Sequence, residues 1–521
     1  MAADASGGFL AYHEPDIISI LTLISFFLFL AIAEWLADKI VRASLIGHII
    51  VGLIYGVPIA NILGLDWQAT FLALGYIGLI LIIFEGGLTI RLDLLRQNLL
   101  LSIVAALLGV LTPIALSFAL LYAGFHHTPL EAFIVGTALC STSLGTTFVV
   151  LASASKNKPS PKPSLPDNAN THVPTTPAVD FSQTRIGTVL VSAAVLDDVC
   201  GLVLVSVIHN LRGIAGGDGG GETGLGWIIG RPVLASALMA LLTPAVAKFV
   251  AGPLYRRFVA PRLLRFGAAA AGAGHVFNIL LMAVVLCAFL AIAAFAGASM
   301  LFGAFLAGAF VSGLLGSKGR DVSEEEPGVP AFADSFEHYL GAPQKYVFQP
   351  LFFASIGFAI PFIDLWTGEV IWKGFVYTLL MVVAKLIVGI VVPVWDFISP
   401  RIRKTNSEKM PGSVTASWAP ATLLGACMVA RGEIGLLIIQ IGLNETPFLT
   451  QKAFIIGVWA IVLNTIIGPV FVGILLKRAG TSIAEDARWG VQAKHGSDTE
   501  TSADVEPTGT SGGTSPRLGL A

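Results

Sequence analysis

Thirteen apolar stretches, each of about twenty residues, recur between residues 17 and 476 and dominate the chain. A helix of that length matches the hydrocarbon thickness of a bilayer, so each stretch reads as a membrane span. They fall at roughly 17–36, 42–60, 70–90, 97–123, 129–153, 186–209, 229–252, 275–297, 299–317, 347–367, 372–396, 417–442 and 452–476. Charged residues are only 12% of the chain and mean hydropathy is +0.81. Such a chain cannot solvate its own surface, which excludes a soluble enzyme. The net charge of -2 argues against nucleic acid as a partner, which needs a basic face. The expected fold class is all-α and polytopic, and the 56 glycines suit close helix packing in lipid.

No basic segment precedes the first apolar run, so it reads as a retained helix rather than a cleaved signal. Cytoplasmic loops are enriched in Lys and Arg, which tests the orientation. With residues 1–16 outside, the outer segments hold only Arg212, Arg231, Lys373 and Lys452. Lys385 and Arg431 lie within spans, and every other Lys and Arg falls inside. The expected topology is therefore an extracytoplasmic N-terminus and a cytoplasmic C-terminus, with the plasma membrane favoured over an endomembrane.

Residues 156–184 form a Pro-rich cytoplasmic insert, residues 213–226 are mostly Gly, and residues 479–521 are a polar tail. All three compositions suit solvated segments, and the tail reads as disordered. The four cysteines, Cys140, Cys200, Cys287 and Cys427, lie in apolar stretches without metal-ligand spacing and read as small packing residues.

Polar groups at membrane depth carry the chemistry, because a charge at the bilayer centre costs about 2.5–3.5 kcal/mol. Asp197 and Asp198 sit mid-way along the sixth span, and neighbours on a helix point about 100° apart. Two adjacent carboxylates are too expensive for packing alone. Lys385 lies near the centre of the eleventh span and needs a carboxylate partner, for which either aspartate has matching depth. In the twelfth span Arg431, Gly432, Glu433 and Gly435 interrupt an apolar run, the signature of an unwound helix that lines a cavity. Arg431 and Glu433 read as structural charges that hold this break. In the fifth span Ser141, Thr142, Ser143, Gly145, Thr146 and Thr147 cluster at mid-depth, either back-bonded to their own helix or marking a second break. Glu85, toward the inner end of the third span, reads as a structural charge, and His48 and His209 as structural polar residues.

Counting spans suggests two inverted six-helix repeats, 17–209 and 275–476, joined by a linker helix at 229–252. The polar interruptions then fall in the fifth member of each repeat, the arrangement that marks an ion site in secondary transporters. If Lys385 neutralises one aspartate and Arg431 neutralises Glu433, one carboxylate is left for a proton or a monovalent cation. Competition between the two on one site is the minimal machinery of exchange.

The segments IIFEGGLTIRLDLL, CSTSLGTTFVVL, TRIGTVLVSAAVLDDVCGLVL, FGAFLAGAFVSGLL, VFQPLFFASIGFAIPF, MVVAKLIVGIV and ACMVARGEIGLLI resemble the monovalent cation:proton antiporter superfamily, that of the sodium/hydrogen exchangers. The resemblance spans about residues 17–477 and is greatest to the Asp-Asp electrogenic branch, which includes fungal exchangers. It implies that Asp197 and Asp198 bind the transported ion (Na+ or Li+) or protons and that Lys385 pairs with one aspartate. It further implies that Thr142 and Ser143 line a crossover of two broken helices, spans 5 and 12. A homodimer with an elevator-like core and a dimerisation domain, working without a cofactor, is also implied. The FEGGL and RGEIGLL segments resemble the electroneutral branch as well, which leaves stoichiometry open. The insert at 156–184 departs from the family's short turn and points to a eukaryotic source such as a fungus. A potassium/proton antiporter or potassium efflux system is the alternative. An intramembrane aspartyl protease is remote, because its two carboxylates must face each other.

Overall fold

In the computed structural model the described residues are 14–41, 43–90, 98–143, 184–215, 225–259, 261, 273–315, 331–402, 417–484, 486 and 488–490. Among them every regular element is helical. Eight helices are long and apolar enough to cross a membrane, with shorter apolar helices between them. The protein is all-α and a multi-pass membrane protein, as the apolar periodicity leads one to expect. Lipid leaves no other way to satisfy the backbone short of a closed barrel.

The helices sort into two bundles. In the first, α1 (Ile17–Val41) packs on α2 (Ser44–Tyr55), and α3 (Leu65–Leu88) lies nearby. The same bundle holds α8 (Ala273–Ala296), α9 (Met300–Leu315) and α10 (Gln349–Phe358), with α9 against α3 and α10 against both α2 and α3. The second bundle holds α4 (Leu99–Ser117), α5 (Pro129–Ala138), α6 (Arg185–Ala215) and α11 (Gly368–Val388). It is completed by α12 (Val391–Ile402), α13 (Trp418–Cys427), α14 (Glu433–Glu445) and α15 (Gln451–Ala484). Here α6 packs on α4 and α14, α11 on α4 and α15, and α13 on α15. Between the bundles, α7 (Leu225–Val246) leans on α6 and α9, and α10 touches α14.

Reciprocal glycines set the closest approaches in the first bundle. A Cβ on Gly87 of α3 would lie 2.0 Å from the Phe305 carbonyl oxygen, and one on Gly308 of α9 would lie 2.1 Å from the Phe84 carbonyl oxygen. Gly52 of α2 and Gly357 of α10 form a second such pair, at 2.1 Å from the Ala354 oxygen and 2.4 Å from the Ile49 oxygen. Helices in lipid gain from such approach, because van der Waals contact replaces the missing hydrophobic drive.

Several expected boundaries shift. The stretch at 42–60 holds a helix of only 12 residues, and the stretch at 347–367 stops being α-helical at Phe358, shortly before Pro361. The stretch at 372–396 is two helices, starting at Gly368 and parted at 389–390. Pro393 has no N–H to return to Gly389, and Gly389 admits the Ala421 carbonyl to 2.2 Å from where a Cβ would stand. The tail expected from 479 onward begins as ordered structure: α15 runs to Ala484, and Trp489 is fully buried. Polar composition hid this, because one tryptophan hardly moves an average over a Ser- and Gly-rich window. Most of the insert at 156–184, the outer segments of the tail and residues 1–13 lie outside the described residues.

Gly87→Val should lower stability by about 1–3 kcal/mol, because overpacking against backbone has no cheap relief. Gly86→Ala, where an added Cβ meets nothing within 4 Å, should not lower it and should gain up to about 1 kcal/mol from helix propensity. Thermal melts of the detergent-solubilised variants check this pair.

Candidate functional site

The site begins where two helices stop. Helix α5 ends at Ala138, and residues 139–143 run on without helical structure. Helix α13 ends at Cys427, and α14 does not begin until Glu433. The two breaks cross each other. The Ser143 N–H donates to the Ala430 carbonyl at 2.9 Å. A Cβ on Gly432 would stand 2.8 Å from the Ser143 Cβ, so only glycine lets the strands pass this closely. The second half of the fifth span, with Gly145, Thr146 and Thr147, lies outside the described residues.

The freed carbonyls of α5 attract the cations. Lys385 Nζ donates to the Cys140 carbonyl at 2.5 Å, to Thr142 Oγ1 at 3.1 Å and to Asp197 Oδ2 at 2.8 Å. These partners use all three ammonium hydrogens. Arg431 NH1 donates to the Ser141 carbonyl at 3.1 Å. Both basic side chains therefore sit at the negative end of the α5 dipole. The Lys385–Asp197 ion pair is entirely buried on both sides.

Asp197 and Asp198 occupy different surroundings. Thr142 donates its hydroxyl to Asp197 Oδ2 at 2.6 Å, so that oxygen accepts twice. Asp197 Oδ1 is buried without a hydrogen-bond partner. Asp198 is half-buried, and its Oδ1 accepts from Ser141 Oγ at 2.9 Å. Glu433, at the start of α14, is also half-buried and close enough to act electrostatically on Asp198.

The structure thus brings together Asp197, Asp198, Lys385, Thr142, Ser143, Arg431 and Glu433. It places Glu85 elsewhere, in the first bundle, where Gln344 Nε2 donates to it at 2.6 Å. The expected Arg431–Glu433 neutralisation is corrected. No ion pair joins them among the described residues, and Arg431 instead ties down carbonyls of the opposite break, while its own carbonyl accepts from Thr465. His48 is buried 3.6 Å from Glu34, and exposed His209 pairs with Glu445 at 2.7 Å.

Sequence reasoning missed two contributors. The Cys140 carbonyl leaves no mark in a sequence. Gly109 of α4 faces the ion pair, where a Cβ would meet Lys385 Nζ at 3.3 Å and Asp197 Oδ1 at 3.5 Å. A mid-span glycine opposite charged groups was the available signal, lost among many other glycines.

A cavity of about 870 Å³ opens between the bundles, lined by Val205 and His209 of α6, Leu437 and Glu445 of α14, Tyr76 of α3 and Phe352 of α10. Val205 lies about two helical turns beyond Asp198, so the cavity approaches the aspartates along α6.

This geometry can be set beside known proteins. The family model for the sodium/hydrogen exchanger, transmembrane, matches residues 24–162 and 180–478. The chain belongs to that family. It is a membrane transporter of the cation/proton exchange class and not an enzyme. A Na(+)/H(+) antiporter of Enterococcus hirae is 24% identical over 438 residues, covering 84% of this chain and 92% of the relative. The Na(+)/H(+)-K(+) antiporter GerN of Bacillus cereus is 26% identical over 439 residues, covering 83% and 90%. The sodium proton antiporter MjNhaP1 of Methanocaldococcus jannaschii, solved at pH 8, shares the fold, with a TM-score of 0.51 at 17% identity over 89% of this chain and 99% of that one.

Removing one partner of a buried ion pair strands the other charge. Lys385→Met should therefore cost roughly 3–5 kcal/mol. Adding Asp197→Asn should restore most of the loss. Melting temperatures of the two single variants and the double variant, purified in detergent, give the comparison.

Proposed function

We propose that this exchanger carries sodium or lithium against protons, with Asp198 and Asp197 as the shared binding carboxylates. The observation that carries the reading is the asymmetry of the pair. Asp197 is spoken for by Lys385 and Thr142, while Asp198, one residue on, is half-buried and held only by Ser141 among the described groups. Three carboxylates, Asp197, Asp198 and Glu433, face two cations, Lys385 and Arg431. The site is then one positive charge short when all are ionised. One monovalent cation, or protons, supply the difference.

In the proposed cycle a cation reaches Asp198, displaces protons and loosens the Lys385–Asp197 pair. The second bundle, as the core domain, then shifts against the first, as the dimerisation domain, and returns protonated. Sorting of the helices into two bundles with a cavity between them supports this elevator-type movement. Apolar side chains along the outer face of α1, such as Ile17, Leu21, Ile24 and Leu28, suit lipid or a second copy and support a homodimer. The Lys and Arg distribution supports an outside N-terminus and cytoplasmic C-terminus. Two carboxylates with a lysine favour net charge movement, serving pH and salt homeostasis. Carriage of potassium is the second reading, favoured by the name of GerN, which includes that ion.

Asp198→Asn should reduce sodium-driven proton flux in proteoliposomes to the level of empty vesicles while the protein stays monodisperse. Persistent flux would remove Asp198 from the site. In the wild type, a clamped membrane potential should alter the rate if charge moves, and parallel runs with lithium, sodium and potassium rank the cations.

A further inference from the structure

The ion-bearing helix α6 enters the bundle with its first N–H groups pointing at nothing of its own, as every helix does. Here those of Arg185, Ile186 and Gly187 are answered. Thr184 caps the helix, its Oγ1 accepting from the Gly187 N–H at 3.1 Å, and its carbonyl takes the first intrahelical bond, from the Thr188 N–H at 2.9 Å. The other two groups are answered from far along the chain. The Arg185 N–H donates to the Gly490 carbonyl at 3.1 Å, and the Ile186 N–H to the Trp489 carbonyl at 3.1 Å.

The segment that supplies those carbonyls is itself tied down. Asp486 Oδ1 accepts from the Arg488 and Trp489 N–H groups at 2.8 and 3.0 Å, folding the segment into a turn. The Trp489 ring is fully buried in a cluster with Ile186, Val189 and Leu190 of α6, Leu101 of α4 and Leu424 of α13. The Arg185 guanidinium lies over that ring at 4.8 Å. Trp489 Nε1 donates to Asp396 Oδ2 of α12 at 3.0 Å, and the same oxygen accepts from Ser417 Oγ, just before α13, at 2.5 Å. Arg488 adds an ion pair to Asp396 at 3.3 Å. One turn of chain thus gathers α4, α6, α12 and the start of α13.

We propose that Asp486 and residues 488–490 form a clasp, and that Trp489 and Asp396 are positioning residues for the ion site, acting through α6. The clasp grips α6 at Arg185 and Ile186, about 16 Å along a rigid helix from Asp197. Opening it frees the α6 end to tilt, which moves both aspartates relative to Lys385, Thr142 and Ser141. An ion site read by distances feels such a shift first in affinity, since the groups remain present but misplaced. The inference rests on the reading of Asp197 and Asp198 as the ion site, so its test needs one arm that does not.

That arm is hydrogen exchange on the purified full-length protein. Trp489→Ala should speed exchange of the amides at 185–190, and Trp489→Phe, which keeps an aromatic ring in the cluster but not the bond to Asp396, should restore most of the protection. Unchanged exchange in Trp489→Ala overturns the clasp, whatever transport does. The second arm is flux in proteoliposomes. Trp489→Ala should raise the sodium KM by about tenfold and leave kcat within about twofold, a split that general damage to the fold does not give. Asp396→Ala, which leaves the ring in place, should shift KM in the same direction by a smaller factor and covers the case in which Trp489→Ala misfolds. A changed exchange pattern with an unchanged KM, or a fall in kcat alone, overturns the positioning role. If Asp198→Asn still transports, the ion-site reading fails and the positioning role with it. The exchange arm still decides whether the clasp exists.

Discussion

The molecule depends on one ion pair that water does not reach. Taking an ammonium and a carboxylate out of water costs several kcal/mol for each ion, and their attraction repays this only with good geometry and further hydrogen bonds. Lys385 and Asp197 meet those terms narrowly. The lysine has a carboxylate, a hydroxyl and a carbonyl, but Asp197 keeps one oxygen buried without a hydrogen-bond partner. A fully satisfied pair would be a structural rivet. In the proposed exchange, a pair left short on one oxygen beside a second carboxylate is the one an arriving charge rearranges.

The broken helices follow from the same requirement. A continuous α5 would spend the Cys140 and Ser141 carbonyls on its own backbone. By stopping at Ala138 it presents them to Lys385 and Arg431. The facing break between α13 and α14 returns the favour, with the Ala430 carbonyl taking the Ser143 N–H. Each break thus supplies partners for the other, and irregular backbone at membrane depth is tolerated because protein surrounds it.

Much of this was legible in the sequence, for a physical reason. Lipid penalises charge so heavily that Asp197, Asp198, Lys385, Arg431 and Glu433 stand out without any alignment. What could not be read were relations decided by direction rather than depth. Asp197 and Asp198 share a depth, and only their different facings decide that Asp197 takes the lysine. Arg431 was assigned a side-chain partner because carboxylates are visible in a sequence, whereas carbonyls released by a break are not. Gly109 contributes by lacking atoms. Trp489 was hidden because its partners include chain segments 93 residues away, at Asp396, and some three hundred away, at Arg185.

The paired glycines of the first bundle have a consequence of another kind. Where α3 meets α9 and α2 meets α10, main chain rests directly on main chain. Such seams have no rotamers to adjust and no soft side-chain layer to absorb a change, so their spacing is fixed by van der Waals contact between backbones. The interface lined by Val205, Leu437, Tyr76 and Phe352 is cushioned by side chains and can be re-cut one residue at a time. A single substitution can reshape that interface, whereas the glycine seams admit no side chain without moving main chain.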